Sequence, residues 1–178
     1  MERRKTIVYN YTPGSIFKPS IEYFEEEGLE IESSLTELYA NVLKSNEDLD
    51  IYFLSHGFEE LIGDDYIDAD FNIESFIKNK INSIIGVLEK VGETNSIDSK
   101  IKNLFFIACN TNHIVESKGR IERIITYSKS IDYFDLIEVS KLAYKYLSDD
   151  DSNNPMTDFR SELEKLNGID INAIRTTP

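Results

Sequence analysis

Two strand-like runs that are mainly apolar place the strongest constraint on how this chain of 178 residues folds. The first, Leu49–Leu54, leads into Ser55-His56-Gly57, and the second, residues 104–108, leads into Cys109, the only cysteine of the sequence. Strands that are apolar throughout are buried on both faces, as in a parallel sheet covered by helices. Because such sheets carry functional residues at the carboxyl ends of their strands, the sequence predicts that His56 and Cys109 meet at one edge.

The remaining sequence alternates strand patterns with amphipathic helix patterns. Further strands are predicted at residues 6–9 and 123–127, with a hairpin or loop around Gly63. Apolar residues at helical spacing predict helices over residues 35–43, from an N-cap at Asn72 to Leu88, and over residues 134–147. This alternation indicates an α/β sandwich with a mostly parallel central sheet flanked by helices.

The chain is predicted to divide near residue 149. Residues 1–148 carry all the strong strand and helix patterns, whereas residues 149–155 are polar and rich in turn-forming residues. Residues 149–178 are therefore expected to form a polar linker and a C-terminal helical tail. Within that tail a surface helix is predicted at residues 157–166, and the last ten residues are expected to fray.

Charge and hydropathy narrow the range of partners. The formal net charge is −14, with acids concentrated in residues 22–32 and 149–151, which repels the phosphates of nucleic acids. No apolar run approaches the ~20 residues needed to cross a bilayer, and the charged N-terminus lacks the apolar stretch of a secretory signal. We therefore expect neither a nucleic-acid nor a membrane partner, and a cytoplasmic location.

The residue types at the predicted edge indicate nucleophilic chemistry. A thiol beside an imidazole is an activated nucleophile with its base. His113, four residues after Cys109, is a competing base if a helix follows the cysteine, and an inert buried thiol is the simpler alternative. Two histidines and one cysteine do not make a zinc set, and no glycine-rich phosphate loop is present. No metal and no cofactor are predicted.

The two motifs, Ser55-His56-Gly57 and Ala108-Cys109-Asn110-Thr111, resemble those of the caspase-like cysteine peptidases and, within them, the bacterial CHAT group. The spacing of His56 and Cys109 is close to the roughly 50 residues of caspases. The resemblance covers residues 6–147, although only the two short motifs are specific. It implies a three-layer caspase-like sandwich and a cysteine endopeptidase in which Cys109 attacks the scissile carbonyl and His56 protonates the leaving amine. Backbone N–H groups of Gly57 and Cys109 would stabilise the oxyanion.

The same resemblance suggests how a substrate is chosen. Relatives that cleave after arginine or lysine use acids near the sheet edge, and the candidates here are Asp64, Asp65 and Asp132, each of which is also an ordinary carboxylate in a chain with 33 acids. Ile107 precedes Ala108 where caspases have glutamine, so cleavage after aspartate is not expected. The implied partners are a protein or peptide substrate and an activating or regulatory protein, in a bacterial defence or signalling system.

Two other functions fit parts of the sequence. A catalytically silent CHAT-like domain would keep the fold and bind a protein partner. The string at residues 108–113 also resembles the first cysteine motif of aspartate/glutamate racemases. That chemistry uses two cysteines on opposite faces of the substrate carbon, and this chain has one.

Overall fold

The computed structural model describes residues 4–10, 16–58, 61–63, 78–94, 101–108, 121–127, 135–148, 154–166 and 174–176. The strands within these ranges are β1 Lys5–Asn10, β2 Glu30–Glu32, β3 Leu49–Leu54, β4 His56–Phe58, β5 Leu61–Gly63, β6 Lys78–Lys80, β7 Ile101–Ile107, β8 Ile124–Tyr127 and β9 Ile174–Thr176. The helices are α1 Lys18–Glu26, α2 Leu35–Lys44, α3 Ile81–Thr94, α4 Leu136–Leu147 and α5 Pro155–Leu163.

The central sheet contains six of the described strands in the order β2-β1-β3-β7-β8-β9. Neighbouring strands from β2 to β8 are parallel, and β9 is antiparallel to β8. The two apolar runs form its middle strands. Every residue of β3 is buried, and so is every residue of β7 except Lys102. The mostly parallel α/β sheet predicted from the sequence is thus confirmed.

Helices cover both faces of this sheet. Successive side chains of a strand point to opposite faces, and in β3 Phe53 belongs to one apolar cluster while Tyr52 and Leu54 belong to another. The Phe53 cluster includes buried residues of α2 and α3. The Leu54 cluster includes buried residues of α1, α4 and α5. The expected three-layer arrangement is confirmed.

The helix predicted to begin after Asn72 is partly wrong. Its apolar stripe from Ile81 to Leu88 is buried in α3 as expected, but α3 begins only at Ile81. Lys78–Lys80 instead forms β6, which pairs with β5 in a small antiparallel sheet of order β4-β5-β6 within the described residues. Lys-Asn-Lys offers no apolar side chain to a helical stripe, so this segment gains nothing by extending the helix. Residues 64–77 lie outside the described residues.

A buried polar network lies at the amino ends of the central strands. Asp50 is fully buried, with Oδ2 3.2 Å from Arg4 Nε and Oδ1 accepting from Asn103 Nδ2 at 2.7 Å. Asn103 also donates to the Leu147 carbonyl at 3.0 Å, and the Tyr52 and Ser148 hydroxyls are 2.7 Å apart. These bonds join the end of α4 to β3 and β7. Burial raises the pKa of Asp50, and the contacts from Arg4 and Asn103 offset part of that rise.

The C-terminal part of the described chain packs into the core. In α5, Phe159 and Leu163 are fully buried in the same cluster as α4, and the Phe159 ring lies 5.8 Å from that of Phe105. Ile174–Thr176 pairs with β8 as β9. The predicted helix is present as α5, but two of its apolar side chains, Phe159 and Leu163, pack into the core. Of the last ten residues, which were expected to fray, residues 174–176 form β9 and the others lie outside the described residues. The proposed division of the chain near residue 149 stays a prediction.

The edge strand β2 carries an acidic cluster that yields a stability prediction. Burial, with the charges of Glu30 and Glu37, raises the pKa of Glu32, and Asn41 Nδ2 donates to both Glu30, at 2.8 Å, and Glu32. Glu32→Gln removes the repelling charge and keeps an oxygen for Asn41. We expect it to stabilise the fold at neutral pH by about 0.5 kcal/mol, a rise in Tm of ~1–2 °C.

The pH dependence of this gain follows from the raised pKa of Glu32. A carboxylate whose pKa is higher in the folded than in the unfolded state destabilises the fold when ionised, and the penalty disappears as pH falls through the folded pKa. The Tm difference between variant and wild type should therefore shrink towards mildly acidic pH, as measured by thermal unfolding. Glu26→Gln on the exposed side of α1 is the control, and an equal gain there would contradict the prediction.

Candidate active site

The carboxyl ends of the three central parallel strands are level with one another. Asn10, the last residue of β1, is paired with Leu54, the last of β3, and Leu54 is paired with Ile107, the last of β7. Ser55-His56 follows Leu54 directly, and Ala108-Cys109 follows Ile107. The prediction that these two runs are adjacent parallel strands ending at one edge is confirmed. We call this part of the molecule the carboxyl edge.

His56 lies at the start of β4, after a break in strand structure at Ser55. The strand expected to run into the histidine thus ends two residues earlier, and His56 begins a hairpin in which it is paired with Gly63. Its side chain is partly exposed. The imidazole lies against the Phe17 ring, with centroids 5.6 Å apart and planes at 64°. This edge-to-face contact comes from the residue that precedes α1.

Gly57, proposed for the oxyanion site, is half-buried and is paired with Ile62 across the β4–β5 hairpin. The other residues proposed from the sequence lie outside the described residues, namely Cys109, His113, Asp64, Asp65 and Asp132. The catalytic pairing and the specificity residues therefore stay predictions. What the structure supplies is the backbone that carries His56 and the strand that leads to Cys109.

Among the residues that the structure describes, two buried oxygens at the carboxyl edge have no hydrogen-bond partner. They are Asn10 Oδ1 and Ser55 Oγ, on residues that are 6% and 1% exposed. A buried polar atom without a partner costs about 1–3 kcal/mol. Such atoms in a native fold call for an explanation, such as a catalytic role or a bound water or ion. Sequence reasoning did not select Asn10, although an asparagine closing an apolar strand is a visible signal. It did not select Phe17 either, since no sequence pattern links that residue to His56.

The part of the chain that the structure describes contains neither a metal-binding cluster nor a membrane-spanning helix. There, no group of three or more His, Cys, Asp or Glu side chains is arranged to hold a metal ion. None of the described helices has the length and apolar character required to cross a bilayer.

No protein-family model matches the chain, and no curated protein matches its sequence. Among solved structures, it is similar to a secreted C11 cysteine protease from Bacteroides thetaiotaomicron, crystallised with an irreversible peptide inhibitor. The TM-score is 0.52 over 99% of this chain, at 13% identity. The fold is caspase-like. This chain spans 66% of that protease, and at such low identity the likeness concerns the fold alone. Membership of the CHAT group and a cytoplasmic location stay predictions.

Proposed function

We propose that this protein is a cysteine endopeptidase in which Cys109 is the nucleophile and His56 its acid–base partner. The observation that carries the proposal is the register at the carboxyl edge, where Leu54 is paired with Ile107. His56 and Cys109 each follow two residues later in the sequence. The two strands that lead to these residues therefore end at neighbouring positions at the same level.

Side-chain alternation supports the same pairing. Tyr52 and Leu54 of β3 lie on the sheet face covered by α1, α4 and α5, as do Phe105 and Ile107 of β7. We propose that residues 56 and 109, two positions beyond Leu54 and Ile107, lie on that face as well. The contact of His56 with Phe17, a member of the same cluster, agrees with this for the histidine.

The chemistry follows from a thiol and an imidazole sharing one amide bond. His56 accepts the Cys109 proton, and the thiolate forms a bond to the scissile carbonyl carbon while the C=O electron pair moves onto oxygen. Backbone N–H groups of Gly57 and Cys109 are proposed to stabilise that oxyanion. As the C–N bond breaks, His56 returns the proton to the leaving amine. Water, with its proton accepted by His56, then hydrolyses the thioester and restores the thiol.

The proposal also covers the residue preference at P1, the substrate and the regulatory partner. We assign the S1 pocket to acids among Asp64, Asp65 and Asp132, which gives a preference for arginine or lysine at P1, because carboxylates pair with those cations. The chain would act on a protein substrate under the control of a protein partner, as in a CHAT-type bacterial defence or signalling system. The low identity to the C11 protease makes each of these a separate question for experiment.

Covalent labelling tests the proposal directly. Wild-type protein is incubated with four peptide acyloxymethyl ketones that differ only at P1, which is arginine, lysine, leucine or aspartate. We expect one adduct per chain, mapped to Cys109 by peptide mass spectrometry, and fastest with the basic P1 residues. Cys109→Ala, the matched control, should remain unlabelled.

Two results would contradict the peptidase assignment. One is a wild-type protein whose Cys109 reacts with the peptide ketones no faster than free cysteine does. The other is labelling that is equally fast for a ketone without a peptide. Either would leave the catalytically silent domain as the better explanation of the fold, and such a domain should keep its partner binding in Cys109→Ser.

A further inference from the structure

We infer that Phe17 is the positioning residue for His56, holding the imidazole in the orientation that the cysteine chemistry needs. The inference rests on the proposed function and extends it to a residue outside the proposed catalytic pair. The observation behind it is the edge-to-face contact between the two rings, with centroids 5.6 Å apart and planes at 64°.

Phe17 is itself firmly held. It is 2% exposed and belongs to the apolar cluster that contains Leu54 and Ile107, the last residues of β3 and β7. Its carbonyl accepts a hydrogen bond from Ile21 N at 2.9 Å, which closes the first turn leading into α1. The ring therefore cannot shift without disturbing α1 or the core beneath the carboxyl edge.

His56 needs such support because it lies on a short hairpin strand and is partly exposed. The torsion that turns an imidazole about its Cβ–Cγ bond has broad, roughly two-fold preferences, so backbone position alone does not fix where the ring nitrogens point. In many enzymes a third group orients the base. The edge-to-face packing of the buried Phe17 ring with the imidazole restricts the same rotation.

The expected consequence is a loss confined to the chemical steps. An imidazole that has lost the Phe17 contact is less often aligned to take the Cys109 proton or to protonate the leaving amine, whereas the substrate contacts are unaffected. A misplacement of about 1 Å can lower a rate by about 100-fold. Removing the Phe17 ring should therefore lower kcat and leave KM nearly unchanged.

The experiment compares two substitutions at Phe17 with a matched control in α1, the helix that follows Phe17. Phe17→Leu and Phe17→Met remove the ring, and methionine keeps enough volume to preserve folding if leucine does not. Phe24→Leu is the control, because Phe24 is fully buried in the same cluster but its ring packs against Tyr52 and Tyr144. Turnover is measured on peptidyl-coumarin amides carrying the four P1 residues of the labelling probes, and Tm on the same samples.

We expect kcat to fall by about 10- to 100-fold in both Phe17 variants, with KM changed by less than about two-fold. Phe24→Leu should lose as much in Tm and keep its kcat. An equal loss of kcat in Phe24→Leu would show a general packing effect and overturn the inference. So would an unchanged kcat in the Phe17 variants of an active enzyme, which leaves the proposed function standing. If wild-type Cys109 is not labelled by any peptide ketone, the proposed function fails and this inference fails with it.

Discussion

Arg4→Met is expected to lower the free energy of unfolding by about 3–5 kcal/mol, because it leaves a buried carboxylate without its cation. Asp50 is fully buried, and the Arg4 side chain beside it is 9% exposed, so water cannot replace the lost partner. Arg4 also donates to the Leu147 carbonyl at the end of α4. Urea unfolding followed by circular dichroism measures the loss.

A double-mutant cycle separates the lost charge pair from the lost packing. Asp50→Asn removes the charge that Arg4 balances, so Arg4→Met/Asp50→Asn should be more stable than Arg4→Met alone. Lys102→Met is the surface control. Lys102 is bonded to Glu122 at 2.8 Å and lies 3.3 Å from Asp48 on partly exposed side chains, and such pairs contribute about 0–1 kcal/mol. A loss at Arg4 no larger than the loss at Lys102 would contradict the prediction.

The loss of unfolding free energy in Arg4→Met should also depend on pH. Burial raises the pKa of Asp50, and the charge of Arg4 offsets part of that rise. Removing Arg4 therefore raises the folded-state pKa of Asp50 further above its unfolded value. The ionised carboxylate then destabilises the fold at pH values above the folded pKa, and protonation relieves the penalty as pH falls through it. Unfolding at about pH 7.5 and about pH 5.5 should show the smaller deficit at the lower pH.

The centre of this fold could be predicted from sequence because its strands carry the information themselves. Residues 104–108 are apolar throughout, and Leu49–Leu54 is apolar except at Asp50. This pattern is typical of a parallel strand that is covered on both faces. That pattern, with the position of His56 after the first run and Cys109 after the second, led to the correct sheet and to the correct pairing of β3 with β7. Each of these features is local in the sequence and can be predicted from it alone.

Contacts between distant segments could not be predicted in the same way. Asp50 interrupts an apolar strand, and its burial makes sense only beside Arg4 and Asn103, on the two neighbouring segments of the sheet. The amphipathic pattern of α5 does not show whether the helix packs into the core. That depends on Phe105 of the distant strand β7, against which the Phe159 ring packs. Phe17 belongs to this group too, since its contact with His56 depends on the packing of α1.

His56→Ala is expected to lower kcat by about 100- to 10,000-fold, the contribution of a positioned general acid–base. The histidine serves twice in the proposed reaction, in forming the thiolate and in protonating the leaving amine. The loss should therefore appear in peptide turnover and in the labelling of Cys109. His56→Asn keeps a polar side chain of similar size but cannot exchange protons at neutral pH, so it should be as slow as alanine. Steady-state turnover of the peptidyl-coumarin amides measures both.

The second histidine gives the control. His113 is the competing base suggested by the sequence, and it lies only four positions from Cys109, whereas His56 follows a separate strand at the carboxyl edge. If the level ends of β3 and β7 select the catalytic base, His113→Ala should keep kcat within about three-fold of wild type while His56→Ala loses nearly all of it. The reverse pattern, with His56→Ala active and His113→Ala inactive, would place the base on the segment after the cysteine. In that case the register of the two strands would position the nucleophile alone.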